Sequence, residues 1–369
     1  MDGYICNSRP RRFGKSYAAN MLAAYYSKGC DSEKMFSGLE IAKASDFKRH
    51  LNKYDVIHID IQWFLANCGN ADEVVPFITK SVLDELREIY PGTLPAEGVR
   101  LPDALSRVKE RTGQKFIIII DEWDVLIRDG EVSETIQDEY INFLRGMFKG
   151  TEPTKYIQLA YLTGILPIKK EKAQSAVNNL DEFTMLQAFG LAPYIGFTEN
   201  EVKDLCKEYN RDFEKVKKWY DGYLLDGYQV YNPKAVVSLM TKGKFRSYWS
   251  ETGSYEVVVP LICMNFDGLK TAIIEMLSGA EVEVNTASFK NDPAKIQNRD
   301  DVITYLIHLG YLGYNEENGT AFVPNEEIRQ ELSTAVRNSH WNEMITFQQE
   351  SRKLLMATLT KDEKNGEKQ

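Results

Sequence analysis

Cysteine and histidine are scarce in this chain, which has five cysteines and four histidines among its 369 residues. No two cysteines form a Cys-x-x-Cys pair, and no two histidines have the spacing of a helical metal-binding pair. The sequence therefore predicts neither a disulfide framework nor a zinc site. We expect the cysteines to be reduced thiols.

Long apolar runs and an excess of positive charge are also missing. No stretch approaches the ~20 apolar residues that a membrane-spanning helix needs, and the first residues lack the basic, apolar and small-residue order of a signal peptide. The net charge of −9 and the pI near 5.3 argue against a surface that attracts nucleic acid as a whole, because phosphates would be repelled. These absences predict a cytoplasmic protein with no membrane partner.

Four short apolar runs in the first half of the chain have the length of β-strands. They are residues 4–7 (YICN), 54–61 (YDVIHIDI), 116–120 (FIIII) and 157–162 (IQLAYL). Segments with helical patterns separate them, and nearly continuous apolar strands between helices indicate a parallel sheet covered on both faces. The predicted fold class is therefore α/β, and a chain of this length has room for more than one domain.

The pattern becomes mostly helical from about residue 197 onward. Thr198 and Glu201 have the spacing of a capping box that starts a helix. Residues 298–313 predict an amphipathic helix and residues 314–323 a β-hairpin, which together have the outline of a winged-helix element. We predict four parts: an α/β core over 1–196, a helical lid over 197–284, a winged-helix-like subdomain over 285–345, and a terminal helix with a charged tail over 346–369.

A basic loop follows the first predicted strand. Residues 9–16 read RPRRFGKS, which fits the phosphate-loop pattern G-x-x-x-x-G-K-[ST] except that Arg9 replaces the first glycine. The backbone N–H groups of such a loop and the positive end of the next helix bind phosphate oxygens. Lys15 is then expected to reach the β- and γ-phosphates of ATP, and the Ser16 hydroxyl to coordinate Mg²⁺.

The predicted nucleotide-binding residues are Arg9, Pro10, Arg11, Arg12, Phe13, Gly14, Lys15, Ser16 and Tyr17. The alternative is a basic helix N-terminus that only resembles the motif. A strand before the loop and a helix after it are the context that the motif requires, and both are predicted here.

Two acidic residues end the third predicted strand, where FIIII is followed by Asp121 and Glu122. Ligands of open α/β sheets bind at the carboxyl ends of the strands. Asp121 has the position of the carboxylate that holds Mg²⁺, and Glu122 that of the base that polarises the attacking water. Two acids at a solvent-exposed strand end are the alternative, but a phosphate loop in the same chain favours the catalytic interpretation.

The fourth predicted strand ends in Thr163 and Gly164. In ATPases with an acidic pair, a polar residue on the strand beside the acidic one commonly senses the γ-phosphate, so Thr163 is predicted as a catalytic residue with Lys15 and Glu122. Ordinary turn chemistry of a Thr-Gly pair is the alternative. Asp60, at the end of the second predicted strand, is either peripheral to the site or a strand-end acid without a catalytic role.

Six motifs occur along the chain in this order: RPRRFGKS at 9–16, IIIIDEWD at 117–124, YLTGILPI at 161–168, GFTENEV at 196–202, KWYDGY at 218–223 and VYNP at 230–233. Their order and spacing resemble the bacterial AAA-ATPase-like family over nearly the whole chain. The resemblance implies a P-loop NTPase core, a helical lid and a winged-helix-like element, and arginine at the first glycine position is typical of the family.

Members of that family commonly carry a C-terminal nuclease-like domain of the PD-D/E-XK type. In this sequence a single helix and a charged tail follow residue 345. Nuclease activity is therefore not assigned to the chain.

An aromatic cluster surrounds the KWYDGY motif, with members Trp219, Tyr220, Tyr223 and Tyr228. Large aromatic side chains chiefly bury area, so an aromatic core that holds the helical lid to the ATPase core is the favoured interpretation. Stacking on adenine from the lid is the alternative.

The favoured function is Mg²⁺-dependent ATP hydrolysis that switches a protein partner or a tethered nuclease-like domain. A nucleic-acid-binding module with a structural nucleotide or none is the second hypothesis, suggested by the winged-helix outline and the basic loop. The acidic wing sequence NEENGT and the acidic net charge oppose it. A scaffold with a decayed site is a third, which the intact residues of both motifs disfavour. The sequence identifies neither an arginine finger nor an oligomeric state.

Overall fold

The structure is a computed structural model that describes residues 3–168, 179–249 and 255–338. The chain divides into two compact units. The first comprises Met1–Gln187 with Lys290–Lys295, and the second comprises Ala188–Phe289 with Ile296–Gln369.

A five-stranded sheet is the centre of the first unit, and all of its strand pairs are parallel. Its strands are β1 (Tyr4–Ser8), β2 (Asp55–Asp60), β3 (Phe116–Asp121), β4 (Ile157–Gly164) and β5 (Asp181–Phe183). They lie in the order β2-β3-β4-β1-β5. The first four correspond to the four predicted strands.

Helices cover both faces of this sheet. They are α1 (Lys15–Tyr26), α2 (Glu33–Phe36), α3 (Phe47–His50), α4 (Ile61–Ala66), α5 (Val74–Ile89), α6 (Leu101–Thr112), α7 (Val125–Arg128), α8 (Glu134–Phe148) and α9 (Pro153–Tyr156). Short 3₁₀ turns occur at Glu40–Lys43, Ala71–Glu73 and Pro293–Lys295. In α5 the buried residues Val74, Ile78, Val82 and Leu86 recur every fourth position, which gives this helix one apolar face to pack on the sheet.

Strand β3 shows why the sheet is covered on two sides. All six of its residues are buried, and successive side chains point to opposite faces. Ile118 and Ile120 join the core that includes residues of α5, α6 and α8, whereas Ile117 and Ile119 pack with Ala19 of α1. Burying one such isoleucine stabilises the fold by roughly 1.5–3 kcal/mol. The predicted α/β class, with a parallel sheet between two helical layers, is confirmed.

The second unit is mostly helical with two small antiparallel sheets. Its helices are α10 (Glu199–Glu208), α11 (Phe213–Tyr220), α12 (Pro233–Lys242), α13 (Tyr255–Ile262), α14 (Leu269–Ser278), α15 (Arg299–Leu309) and α16 (Glu326–Asn338), with a 3₁₀ turn at Phe189–Tyr194. Its strands are β6 (Phe197–Thr198), β7 (Tyr223–Leu225), β8 (Tyr228–Tyr231), β9 (Val282–Glu283), β10 (Gly313–Asn315) and β11 (Thr320–Phe322). The sheet orders are β6-β8-β7 and β10-β11-β9.

Local signals in this half of the sequence are reproduced. The Thr198 side chain accepts a hydrogen bond from the Glu201 N–H, and the Glu201 carboxylate accepts one from the Thr198 N–H, so the capping box is present. Helix α15 ends at Leu309, earlier than predicted, because Gly310 takes up the left-handed conformation that stops it. The predicted hairpin follows as β10 and β11, and β9 adds a third strand that the sequence did not predict.

The KWYDGY motif packs inside the second unit. Tyr220 is buried and donates a hydrogen bond to the Arg246 carbonyl at 2.9 Å, and Tyr223 is buried and donates one to the Gly310 carbonyl at 2.5 Å. Gly222 has φ +107°, and a Cβ atom there would lie 2.2 Å from the Pro324 carbonyl oxygen. These contacts favour the aromatic-core interpretation of the motif, with the core formed within this unit.

The four-part domain division stays a prediction, and the terminal helix and tail predicted at 346–369 lie outside the described residues. Within the part of the chain that the structure describes, no helix has the length and hydropathy to span a bilayer.

Candidate functional site

The carboxyl ends of the parallel strands bring the predicted site residues to one edge of the sheet. Asp60 at the end of β2 is in register with Asp121 at the end of β3, and Asn7 of β1 is in register with Thr163 of β4. Asp121 continues the alternation of Ile117 and Ile119, so it lies on the sheet face that packs against α1. Helix α1 begins at this same edge, directly after the loop that follows β1.

The basic loop reaches α1 through a left-handed turn. Gly14 has φ +88° and precedes the first helical residue, and Arg12 has φ +69°. A Cβ atom on Gly14 would meet nothing within 4 Å, so backbone conformation and not space requires glycine there. The first turn of α1 contains no acidic residue. Its N–H groups and helix dipole therefore form the kind of helix start that binds anions.

The predicted nucleotide-binding residues differ in exposure. Arg9, Pro10, Phe13 and Lys15 are buried, Arg12 and Gly14 are half-buried, and Arg11, Ser16 and Tyr17 are exposed. The exposed residues are those that a ligand entering from solvent would meet first.

Lys15 lies between the loop and the acidic end of β3. Its side chain is only 4% exposed, its Nζ donates a hydrogen bond to the Pro10 carbonyl at 3.1 Å, and Nζ lies 3.8 Å from Glu122 Oε1. Burial lowers the pKa of Lys15, and the nearby carboxylates of Glu122, Asp124 and Asp121 partly oppose that shift. The structure thus brings the predicted phosphate-binding amine and the predicted base together.

Asp121 and Glu122 have different surroundings although they are adjacent. The Asp121 carboxylate is 4% exposed, and its Oδ1 accepts a hydrogen bond from the Glu122 N–H at 3.0 Å. Glu122 has φ +52°, which turns the chain as β3 ends, and its side chain is 23% exposed. The turn separates the two carboxylates, with Asp121 on the sheet face and Glu122 toward Lys15.

Two residues that sequence reasoning gave no role complete the acidic turn. Asp124 is fully buried, and its Oδ2 accepts hydrogen bonds from the N–H groups of Ile165 (3.1 Å) and Leu166 (2.7 Å) and from Arg128 Nε (2.8 Å). Arg128 Nη2 donates a second hydrogen bond to Glu122 Oε2 at 2.7 Å. The one signal for this arrangement in the sequence is the four-residue spacing of Asp124 and Arg128 on a short helix.

Position 164 requires glycine because Asp124 and Trp123 approach its backbone closely. Strand β4 runs through it, and a Cβ atom there would lie 2.6 Å from Asp124 Oδ1 and 2.7 Å from the Trp123 ring. Gly164 is thus the last residue of β4, and Asp124 and Trp123 pack against it.

Thr163 and Asn7 carry buried polar atoms at the strand ends. Both residues are almost fully buried, and neither Thr163 Oγ1 nor Asn7 Oδ1 has a hydrogen-bond partner within residues 3–168, 179–249 and 255–338. Asn7 Nδ2 donates a long hydrogen bond to the Tyr161 hydroxyl at 3.4 Å. Buried polar atoms are normally paired. These two are therefore available to a bound polar group or a water molecule.

Arg9, which was predicted to contact phosphate, is held at one end of its guanidinium, and the phosphate contact stays a prediction. Its guanidinium is fully buried, and Nη1 donates hydrogen bonds to the carbonyls of Ser8 (3.0 Å) and Thr184 (2.9 Å). Burial lowers the pKa of Arg9 to about 10. These two bonds support the loop from inside the protein. The Nε and Nη2 atoms of Arg9 are also buried and have no hydrogen-bond partner within the described residues.

The donor set at this edge fits one type of metal. Among the described residues, no group of three or more His, Cys, Asp or Glu side chains is arranged to hold a metal ion. Mg²⁺ in phosphate-transfer sites is held by one or two protein oxygens together with water and substrate phosphates. The exposed Ser16 hydroxyl and the Asp121 carboxylate match that requirement.

Comparisons with known proteins support a relationship for the first unit. Residues 2–173 match the family model AAA-ATPase_like, described as a predicted AAA-ATPase. An uncharacterized protein in the vnfD 5′ region of Azotobacter chroococcum mcd 1 is 26% identical over 259 residues, which are 69% of this chain and 48% of the relative. The chain thus spans about half the length of that curated relative.

One solved structure that is similar to this chain is the Aeropyrum pernix ORC2 protein in ADPNP-ADP complexes, with 12% sequence identity and a TM-score of 0.39. The match covers 90% of this chain and 87% of the ORC2 chain. The Aeropyrum pernix ORC1 protein in complex with DNA has 12% identity, coverage of 93% and 88%, and a TM-score of 0.29.

Proposed function

Because residues 2–173 match the model of the AAA-ATPase-like family, we propose that the chain binds ATP with Mg²⁺ at the carboxyl edge of the sheet and hydrolyses it. One observation carries the proposal: the buried Lys15 amine lies 3.8 Å from the Glu122 carboxylate, where a phosphate loop meets an acidic strand end. Within the described residues, Lys15 has one carboxylate at salt-bridge distance. A lysine that is deprived of water in this way is a strong partner for a polyanion.

Phosphate binding is assigned to the loop and the start of α1. The N–H groups of residues 11–17 surround the phosphates, and the Lys15 amine exchanges its hydrogen bond to the Pro10 carbonyl for bonds to the β- and γ-phosphate oxygens. Arg11 and Arg12 add positive charge at the loop, while Arg9 keeps the loop in place from inside. The exposed Tyr17 lies in the first turn of the helix, beside the bound nucleotide.

The Ser16 hydroxyl and the Asp121 carboxylate hold Mg²⁺, which when bound neutralises charge on the β- and γ-phosphate oxygens. Asp121 suits this role because its carboxylate is fixed by the Glu122 N–H. Ser16 suits it because it is the exposed second residue of α1, which begins at the same edge of the sheet.

Glu122 acts as the general base. It takes a proton from water as the water oxygen bonds to the γ-phosphorus and the bond from that phosphorus to the β–γ bridging oxygen breaks, which yields ADP and inorganic phosphate. The Thr163 hydroxyl donates to the γ-phosphate or to the attacking water. A hydroxyl with no protein partner among the described residues can accept this task without breaking another hydrogen bond.

The test of the proposal is isothermal titration of ATP and ADP, with and without Mg²⁺, into the wild-type protein and Lys15→Ala. We expect Mg²⁺-dependent ATP binding by the wild type and none measurable by the variant, because the phosphates lose their main cation. Equal ATP affinity of the two proteins would overturn the proposal.

The purpose of hydrolysis is proposed to be a nucleotide-driven switch that controls a protein partner or a nuclease-like domain. A role in binding nucleic acid is less well supported, since the turn between β10 and β11 carries Glu316 and Glu317, which would repel a phosphate backbone. Retardation of duplex DNA in a gel at low salt, reversed by added salt, would favour nucleic-acid binding instead.

A further inference from the structure

We propose that Arg128 positions Glu122 for hydrolysis by holding one carboxylate oxygen while the other stays directed at the phosphate region. The inference rests on the proposed function. Arg128 Nη2 donates a 2.7 Å hydrogen bond to Oε2 of Glu122, and Oε1 of the same carboxylate lies 3.8 Å from Lys15 Nζ. The two oxygens of Glu122 therefore have separate neighbours, one an arginine and the other the amine that binds phosphate.

Arg128 is itself fixed. Its side chain is 10% exposed, and its Nε donates a 2.8 Å hydrogen bond to the buried Asp124 carboxylate. Asp124 is tied to the N–H groups of Ile165 and Leu166, which follow β4. Hydrogen bonds with a charged donor or a charged acceptor are the stronger kind, and the planar guanidinium directs its donors along set lines. A continuous path of such bonds therefore runs from the end of β4 to Glu122.

Glu122 needs this support because its own backbone does not supply it. The residue lies just beyond β3 with φ +52°, and its side chain is partly exposed. A free glutamate side chain in water loses rotamer entropy when it is ordered. Arg128 orders it in the resting protein, so that this cost is not added to the barrier of the chemical step.

The distances from Glu122 to Arg128 and to Lys15 indicate which cation stays bound to the Glu122 carboxylate when ATP binds. The contact of Glu122 with Arg128 is hydrogen-bonded, whereas the contact with Lys15 at 3.8 Å is an ion pair beyond hydrogen-bond length. When the Lys15 amine moves to the phosphates, Glu122 stays with Arg128. Its Oε1 atom is then left facing the position from which a water molecule attacks.

Two other roles of Arg128 lead to different kinetics. If Arg128 bound the γ-phosphate directly, its removal would slow hydrolysis independently of Glu122. If Arg128 restrained Glu122 in an inactive state, its removal would raise the rate. A positioning residue acts only through Glu122, and its removal lowers the rate only while Glu122 is present.

The experiment compares Arg128→Gln and Arg128→Lys in the wild-type and Glu122→Gln backgrounds, with kcat and KM from phosphate release and ATP affinity from titration calorimetry. Arg128→Gln is expected to lower kcat by about 10- to 100-fold, with ATP affinity within about threefold of wild type because the phosphate ligands are untouched. Arg128→Lys should recover part of kcat. In the Glu122→Gln background, Arg128→Gln should cause no further loss.

Arg100→Gln is the matched control, because Arg100 also donates through Nε and a terminal nitrogen to a carboxylate, that of Asp103, but on the surface. It should leave kcat unchanged. Arg128→Gln leaves the buried Asp124 carboxylate without its cation and could therefore fail to fold. In that case Arg128→Lys, alone and combined with Glu122→Gln, provides the same comparison.

Three results would overturn the inference: unchanged kcat in Arg128→Gln, a raised kcat, or a loss in the double variant equal to the product of the single losses. A wild-type protein that does not bind ATP would instead overturn the proposed function, so the two failures are distinguishable.

Discussion

A Cβ atom built on Gly164 would lie 2.6 Å from the Asp124 Oδ1 atom, closer than Cβ atoms approach any neighbour in proteins. Because Gly164 has no side chain, the acidic turn that follows β3 can pack against the end of β4. Asp124 in this position accepts hydrogen bonds from the two N–H groups that follow β4. The neighbouring strands of the candidate site are thus joined through one carboxylate.

Gly164→Ala is expected to disturb both folding and catalysis. The added methyl must displace the Asp124 carboxylate or the Trp123 ring, which should lower the free energy of unfolding by about 1–3 kcal/mol and reduce kcat more than ATP affinity. Urea unfolding and phosphate release measure the two effects. Gly146→Ala is the control: it lies within α8, a Cβ there meets nothing within 4 Å, and it should stabilise by up to about 1 kcal/mol. Wild-type stability of Gly164→Ala would contradict the prediction.

Glu122→Gln is expected to separate binding from turnover. The amide keeps the size of the side chain but cannot accept a proton from water, so kcat should fall by at least about 100-fold while ATP binding persists. Calorimetry and phosphate release on the same preparation check both parts. Glu131→Gln, at an exposed position beyond α7, should behave as wild type. A turnover number within tenfold of wild type would remove Glu122 from the role of base.

Gly222→Ala is expected to destabilise the second unit severely. Its φ of +107° strains any residue with a side chain. The new Cβ atom would also lie 2.2 Å from the Pro324 carbonyl oxygen, and this oxygen cannot easily move because it is part of the backbone. We expect a loss of about 3 kcal/mol or more, measured by thermal or urea unfolding. Gly190→Ala, where a Cβ meets nothing within 4 Å, should cost far less. Equal stabilities of the two variants would contradict the prediction and show that the backbone of the KWYDGY turn shifts to accommodate the added Cβ atom.

Asp221 gives the second unit a pH-dependent stability. Burial raises the pKa of its carboxyl group above the ordinary 3.8, opposed by the N–H of Gly222 and the charge of Lys217. Between the ordinary value and the raised one, the folded state binds more protons than the unfolded state, so stability falls as pH rises through that window. Above it, the fold carries the full penalty of a buried carboxylate.

Asp221→Asn should therefore be more stable than wild type at pH 7, and its advantage should shrink as the pH approaches 4. Urea unfolding at both pH values measures this difference. Asp204→Asn removes an exposed carboxylate of α10 and should change stability by no more than about 0.5 kcal/mol. An Asp221→Asn protein that is less stable than wild type at pH 7 would show that the charge is stabilised by its neighbours.

The first four strands of the sheet could be predicted because each is an apolar run between helical segments. Strand β5 could not, because its three residues Asp181, Glu182 and Phe183 have no apolar pattern and pair with β1 through backbone groups. Strand order is likewise absent from local sequence. It follows from pairings between residues distant in the chain, such as Phe116 with Ile157 and Ile5 with Asp181.

In the candidate site, Lys15 and Glu122 were predictable because their motifs are contiguous. Arg9 was expected to meet phosphate, and local sequence did not show that its buried Nη1 atom donates to the carbonyls of Ser8 and Thr184. Asp124 and Arg128 were not assigned roles, since the backbone donors that hold Asp124 come from beyond β4. Sequence reasoning found the residues with recognisable motifs and missed those whose partners are distant in the chain.

The hydrogen bond from Arg9 to the Thr184 carbonyl joins residues 175 positions apart. During synthesis the loop at residues 9–16 leaves the ribosome early, but this contact cannot form until residue 184 has emerged. A truncated protein that stopped at residue 173, where the family match ends, would also lack β5 and the carbonyl that anchors the loop. The shortest fragment in which the loop is fully supported therefore extends to about residue 187, the end of the main segment of the first unit.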